Sequence, residues 1–260
     1  MKKLVKLSLA AFLAAGTFAY ADATKRYAQG YTYYNVSFQS MDFTTSASEK
    51  GFNSSASVDN PVYTIGGVYV INDTYDFSTE LSTTLVPTRG TETVTINGVE
   101  AKENIEMLNN TIKGYVHYKF TNEHRVVGGL TYNLSSWKRY GGNLVTNEIG
   151  QRSMSINMEI GYWYEGYFMP EDKLHVNFKA IGGMPVWDET ENTSSNVTFS
   201  SRGGYNYNIA VNVGYEFFSG TETGLTMGYS ELSRDKDSKD GTIVPEDTFE
   251  TFYFGVYAAF

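Results

Sequence analysis

Thr251-Phe252-Tyr253-Phe254-Gly255-Val256-Tyr257-Ala258-Ala259-Phe260 closes the chain and decides its architecture. In an extended strand successive side chains point to opposite faces, so Phe252, Phe254, Val256, Ala258 and Phe260 share one face. An exposed aromatic strand edge would recruit other chains, and a soluble sheet avoids it. A closed barrel has no such edge, because its last strand pairs with its first.

The other end of the chain fits export. Met1-Lys2-Lys3-Leu4-Val5-Lys6 is a basic n-region, Leu7 to Phe18 is an apolar run, and Ala19-Tyr20-Ala21 has the small-x-small form of a cleavage site. The apolar run falls short of the ~20 residues that a spanning helix needs. Residues 1–21 are expected to leave as a signal peptide, and 22–260 to form one domain. Lys2, Lys3 and Lys6 leave with it, so the acidic excess grows beyond the −9 of the full sequence. That sign argues against nucleic acid and against binding an anionic membrane surface by charge. Cysteine is absent, which excludes disulfides, thiolate metal sites and a cysteine nucleophile.

Alternation then fills the space between the ends. From Tyr205 to Phe217 every odd position (Tyr205, Tyr207, Ile209, Val211, Val213, Tyr215, Phe217) is apolar or aromatic, while the even positions are polar or small. Met154, Ile156, Met158, Ile160, Tyr162 and Tyr164 repeat the pattern. Soluble strands average about 5–6 residues, so runs of this length suit a bilayer crossing. The mean hydropathy of −0.33 agrees, because a barrel averages lipid-facing and lumen-facing residues.

The final strand with its terminal aromatic resembles the C-terminal signal of bacterial outer-membrane β-barrel proteins. That resemblance implies that Phe252, Phe254, Val256, Ala258 and Phe260 are read by the barrel assembly machinery, and that lipid and lipopolysaccharide surround the product. The fold expected is all-β, a transmembrane antiparallel up-and-down barrel of about ten strands, with eight or twelve as alternatives. Strands are expected near 29–41, 58–71, 74–85, 107–120, 124–135, 152–165, 173–186, 203–218, 222–233 and 248–260. Short links alternate with longer polar stretches at 42–57, 86–106, 136–151, 187–202 and 234–247. Outer-membrane barrels place short turns in the periplasm and long loops outside, so both termini are expected in the periplasm. Thr91 to Val99, turning at Asn97-Gly98, reads as a hairpin extending the second loop. Tyr162, Trp163, Tyr164, Tyr167, Phe168, Tyr215, Phe217 and Phe218 read as an interfacial girdle.

With the apolar face toward lipid, the lumen receives Glu80, Lys113, Glu159 and Lys179 near mid-strand. Asp76, Lys119, Arg125 and Glu216 follow near the periplasmic end, with His117 and His175 close by. Opposed residues of an antiparallel pair have a constant sum; Glu80 with Lys113 and Asp76 with Lys119 differ by only two in that sum, so one register brings both pairs near each other. Glu159 is expected beside Lys179, and His175 beside Glu216. Mixed signs predict a bracing network more than a selectivity ring of one sign. Small inward residues, among them Ser37, Gly129, Thr131, Gly161, Gly183, Gly228 and Gly255, leave room for a narrow water path.

Catalytic motifs are missing. Omptin-like proteases combine two acids one residue apart with an Asp-x-His couple at the outer rim. Here the acid pair is Asp235/Asp237, and no Asp-x-His occurs at His117, His124 or His175. No His-x-Ser pattern suggests a barrel lipase. The stretch from Asp235 to Glu246 departs from a calcium loop at Lys239 and Asp240. No metal or cofactor is expected. The function expected is a narrow porin-like conduit for ions or small hydrophilic solutes; the alternative is a surface recognition or adhesion barrel with a sealed lumen and five polar outer loops.

Overall fold

The computed structural model describes residues 30–47, 50–140, 149–168, 173–193, 197–200, 203–218, 220–239 and 242–260. The expected signal segment lies outside the described residues. In chain order the strands are β1 (Gly30–Ala47), β2 (Phe52–Val70), β3 (Tyr75–Thr83), β4 (Thr88–Ile96), β5 (Val99–Lys119), β6 (His124–Tyr140) and β7 (Ile149–Tyr167). They continue as β8 (Leu174–Asn192), β9 (Val197–Ser200), β10 (Gly204–Phe218), β11 (Thr221–Arg234), β12 (Asp237–Lys239), β13 (Thr242–Val244) and β14 (Glu246–Ala259).

Antiparallel pairing runs β1-β14-β11-β10-β8-β7-β6-β5-β3-β2 and returns to β1, which closes a barrel of ten staves. The final strand makes the closing seam, with Val36 opposite Val256 and Phe38 opposite Phe254. Thr32 and Phe260 exchange both backbone bonds at 3.0 and 2.9 Å. β4 stands on the same stave as β3, because it too lies between β2 and β5. The Asn97-Gly98 turn, with φ of 51° and 81°, is the left-handed pair that a two-residue hairpin demands.

Two ends can be told apart. At the turn end, short links are tied by their own side chains: Asn72 accepts the Thr74 and Tyr75 N–H groups at 2.8 Å, and Thr121 accepts those of Glu123 and His124. At the loop end the expected polar loops are mostly strand. β1 and β2 run through 42–57 except for 48–51, and β5, β6, β7 and β8 likewise extend beyond their expected limits.

The cause is a change of phase. On β1, Tyr34 and Phe38 face outward while Asn35, Ser37 and Gln39 face the lumen. Four residues later the faces exchange character: Met41 and Phe43 are buried inside, and Asp42 and Thr44 are exposed. β5 does the same, with Ile112 and Val116 outward below and Met107 and Ile105 inward above. The alternation never stops; only its apolar half moves from the outside to the inside. Strands of 17 to 21 residues, such as β6 and β5, stand roughly 45–50 Å tall at ordinary tilt, against an apolar band of about 25 Å. One part of the barrel is therefore built for lipid, and the rest is built like a soluble protein with its core inside.

That core joins Met41, Phe43, Ala56, Val58, Ile105, Met107, Trp137 and Phe249. Phe43→Ala should cost about 3–5 kcal/mol in urea-induced unfolding from vesicles, by the cavity it leaves. Thr44→Ala, one residue along on the exposed face, should stay within about 0.5 kcal/mol.

Candidate functional site: the barrel interior

The interior is layered. At mid-height the β3–β5 register sets Glu80 directly opposite Lys113, as the constant-sum argument requires, and the two meet at 2.9 Å. Glu80 also accepts from Tyr33 at 2.7 Å and meets Lys179 at 3.3 Å from the other side of the lumen. Lys179 does not pair with Glu159. Trp163 is its register partner on β7, and Glu159 lies opposite Gly183 instead. Lys179 therefore lies over the Trp163 ring, 4.7 Å from its centroid, and reaches Glu80, while Glu159 accepts hydrogen bonds from Tyr115 and Asn206. Trp163 is 2% exposed and faces inward, so it leaves the expected girdle; Tyr162, Tyr164, Tyr215 and Phe217 remain on the outer face.

Toward the turn end a second chain of charges crosses the mouth. Lys119 meets Asp76 at 2.8 Å, Arg125 meets Asp76 at 3.3 Å and Glu165 at 2.6 Å. His175 places one ring nitrogen 3.4 Å from Glu165 and the other 3.2 Å from Glu222, which also accepts from Tyr257. Seven groups on seven staves are linked, and the charged side chains are at most 4% exposed. Lys119 and Arg125 further donate to the Asn72 and Asn122 carbonyls, which anchors the network to the turns. Glu216 stands apart from His175. The register pairs His175 with Gly214, so Glu216 lies closer to the turn, accepting from Gly220 N–H at 2.8 Å and Tyr167 at 3.4 Å.

Toward the loop end the apolar core fills one side of the lumen. Phe43 on β1 packs on Phe249 at 4.8 Å and on Trp137 of β6 at 5.8 Å, a contact that crosses the barrel. Arg139 covers Trp137 at 4.3 Å, grips Glu92 through two nitrogens and reaches Ser54. On the opposite side Arg234 of β11 binds Asp188 of β8 at 3.3 Å and Ser153 of β7, and Gln151 reaches Asp247 at 3.3 Å. Phe199 and Val244, from the short strands above, are buried as well.

Between these layers remains a cavity of about 250 Å³, lined by Tyr33, Gln39, Thr64, Glu80, Asn109, Lys113, Lys179 and their neighbours. Of the small inward residues, Ser37 and Thr131 line this cavity, whereas large partners lie over others: a Cβ at Gly228 would strike the Tyr253 ring, and one at Gly161 would meet Ile181.

Eight interior charges among the described residues escaped the sequence reading: Glu92, Glu103, Arg139, Glu165, Asp188, Glu222, Arg234 and Asp247. Glu165 shares the odd parity of Glu159, and Glu222 the even parity of Thr226, so their facing was available there. Asp188 was hidden by a bulge, since Ile156 faces Trp187 and Asn157 faces Pro185, which shifts the parity of β8. His117 and His175 lie inward in the turn-end half; His117 meets Ser78 at 2.7 Å and packs at a tilt against Trp163. His124 is at the turn end beside Tyr162. Above the apolar band, Tyr205 and Tyr207 donate to Glu231 and hold its carboxyl below the usual carboxylate range.

No protein-family model and no curated protein sequence matches the chain. Solved structures do. The outer-membrane protease OmpT from Escherichia coli superposes with a TM-score of 0.57 at 13% identity, covering 88% of this chain and 96% of that one. The translocator domain of the autotransporter NalP from Neisseria meningitidis gives 0.43 at 10% identity, covering 88% of each. OprG from Pseudomonas aeruginosa gives 0.39 at 12% identity, covering 89% and 96%. The fold is that of the bacterial outer-membrane β-barrels. At these identities the likeness speaks for the fold alone.

Glu80 holds two cations, so Glu80→Ala should destabilise by about 3 kcal/mol, leaving both without a counter-ion. Lys113→Ala leaves Glu80 with Lys179 and should cost roughly half as much. Equal losses in vesicle-based unfolding would contradict the assigned geometry.

Proposed function

We propose that this chain is an outer-membrane surface barrel whose lumen is closed along its axis and whose activity, recognition or adhesion, lies at the loop end. The observation that carries this reading is the Phe43–Trp137 contact across the lumen, with the buried charge chain at the opposite mouth. A rigid wall that rises well beyond the apolar band is a platform for presenting the loop-end segments. In this reading residues 1–21 are removed on export and both termini lie in the periplasm. The last strand, with Phe252, Phe254 and Val256 facing lipid, serves the assembly machinery. No enzymatic role is assigned: the three histidines lie in the turn-end half, away from Asp235 and Asp237.

A porin-like conduit is the second reading, favoured by the polar cavity and by Glu80, Lys113, Glu159 and Lys179 around it. Single-channel recording separates the two. The refolded barrel should pass no steady current in a planar bilayer, and a small ohmic conductance that changes in Lys113→Ala would establish the conduit instead. Bacteria displaying the barrel should bind within a panel of immobilised glycans and matrix proteins. Replacing 237–244 by a short turn should remove that binding without loss of heat-resistant folding; a silent bilayer with no binding anywhere on the panel would refute recognition.

A further inference from the structure

Among the described residues the strand pairing of the wall is interrupted at two staves: β8 stops pairing with β10 at Gly183 opposite Asn206 and takes up β9 only at Glu189, and a second interruption lies on β2. β2 pairs with β3 from Tyr63 to Val70 and with β4 from Phe52 to Ala56, so Ser57–Val62 have no strand partner on that side. Facing them, Thr84–Pro87 leave the β3–β4 stave. The pairing with β5 shifts by two residues there, from Thr83 opposite Asn110 to Thr88 opposite Met107. Leu85 adopts φ of 56°, a left-handed conformation that a leucine takes only under constraint. Pro61 occupies the unpartnered stretch, where the missing N–H is tolerated.

Three observations give this break a direction. Leu85 and Val86 are turned outward, 60% and 59% exposed. The break sits at the loop-side edge of the apolar band: Pro61 is opposite Phe38, the last apolar outward residue of β1 before Ser40 and Asp42. Behind it lies the 250 Å³ cavity, whose near wall is Gln39, Val62, Thr64, Thr83, Thr84 and Asn109, without a charge among them. Asn60, within the unpartnered stretch, is 3% exposed, and neither its amide oxygen nor its amide nitrogen has a hydrogen-bond partner. Buried amides that lack a partner are rare and costly, and a polar molecule held beside Asn60 would satisfy it.

We propose that the break between β2 and Thr84–Pro87 is a lateral portal. Through it the cavity takes up a small uncharged amphiphile from the outer leaflet, of the class of a single ring bearing a hydroxyl. The apolar lip of Leu85, Val86 and Pro61 suits a molecule already dissolved in lipid, and the amide and hydroxyl groups behind it suit one hydrogen-bonding group. Tyr33, Tyr253 and Trp163 also line the cavity. A charged molecule would have to shed its hydration in the lip and is excluded.

The probe is 4-bromophenol, neutral at pH 7, whose bromine quenches tryptophan on contact. In vesicles, Trp137→Phe/Trp187→Phe protein retains Trp163 alone of the three tryptophans. Saturable quenching is expected. A Val62→Cys/Thr84→Cys pair, the next position in the β2–β3 register, closes the break when oxidised, with no native cysteine to interfere. Oxidation should weaken apparent binding about tenfold and reduction should restore it. Asn60→Phe, which fills the break without a disulfide, should give the same loss. Non-saturating quenching equal to that of a lipid-dissolved tryptophan ester would overturn the proposal. So would saturable quenching untouched by both closures.

Discussion

Hydrocarbon offers the backbone no hydrogen-bonding partner, so a chain that crosses it in strands must close its sheet on itself. Closure here rests on the seam between β1 and β14, which continues to the reciprocal bonds between Thr32 and Phe260. Everything else about the molecule follows from being a closed wall of ten staves. A barrel of this size encloses a space that side chains can almost fill. Charges that face inward must therefore find one another. Asp76, Lys119, Arg125, Glu165, His175 and Glu222 do so from six staves, and Glu80 gathers two lysines from opposite sides.

The exchange of apolar residues between faces explains the shape of the lumen. Inside the membrane the outer face is apolar and the interior is left to amides, hydroxyls and ion pairs. Above it the outside meets water, and Met41, Phe43, Met107 and Trp137 turn inward to make a core of the soluble kind. The cavity survives where the two regimes meet. The same level carries an interruption of stave pairing, at Ser57–Val62. On the proposed reading, axial closure and a side-facing weakness are consequences of one design.

Much of this was legible in the residues. The odd positions of 205–217 and the terminal Phe252 to Phe260 disclosed the strands, the lipid face and the closing seam. The constant-sum argument placed Glu80 against Lys113 and Lys119 near Asp76. Strand limits failed where the apolar half of the alternation changed sides: a reading with a fixed phase sees Asp42, Thr44 and Ser46 as loop, although Met41 and Phe43 keep the period. Pairings across the lumen were beyond reach, since Lys179 meets Glu80 from 99 positions away in sequence. The bulge that turns Asp188 inward carries no composition signal that marks it.

A single cysteine at Ser37 tests the axial closure most directly. Ser37 is 3% exposed and lines the central cavity. A charged, membrane-impermeant thiosulfonate reagent, applied to either face of vesicles holding Ser37→Cys, should leave that thiol unmodified, while a cysteine at Asp42 reacts fully from the loop-end face. Rapid modification from either face would mean that the lumen is open to water along its axis, and the account of a sealed barrel would fail.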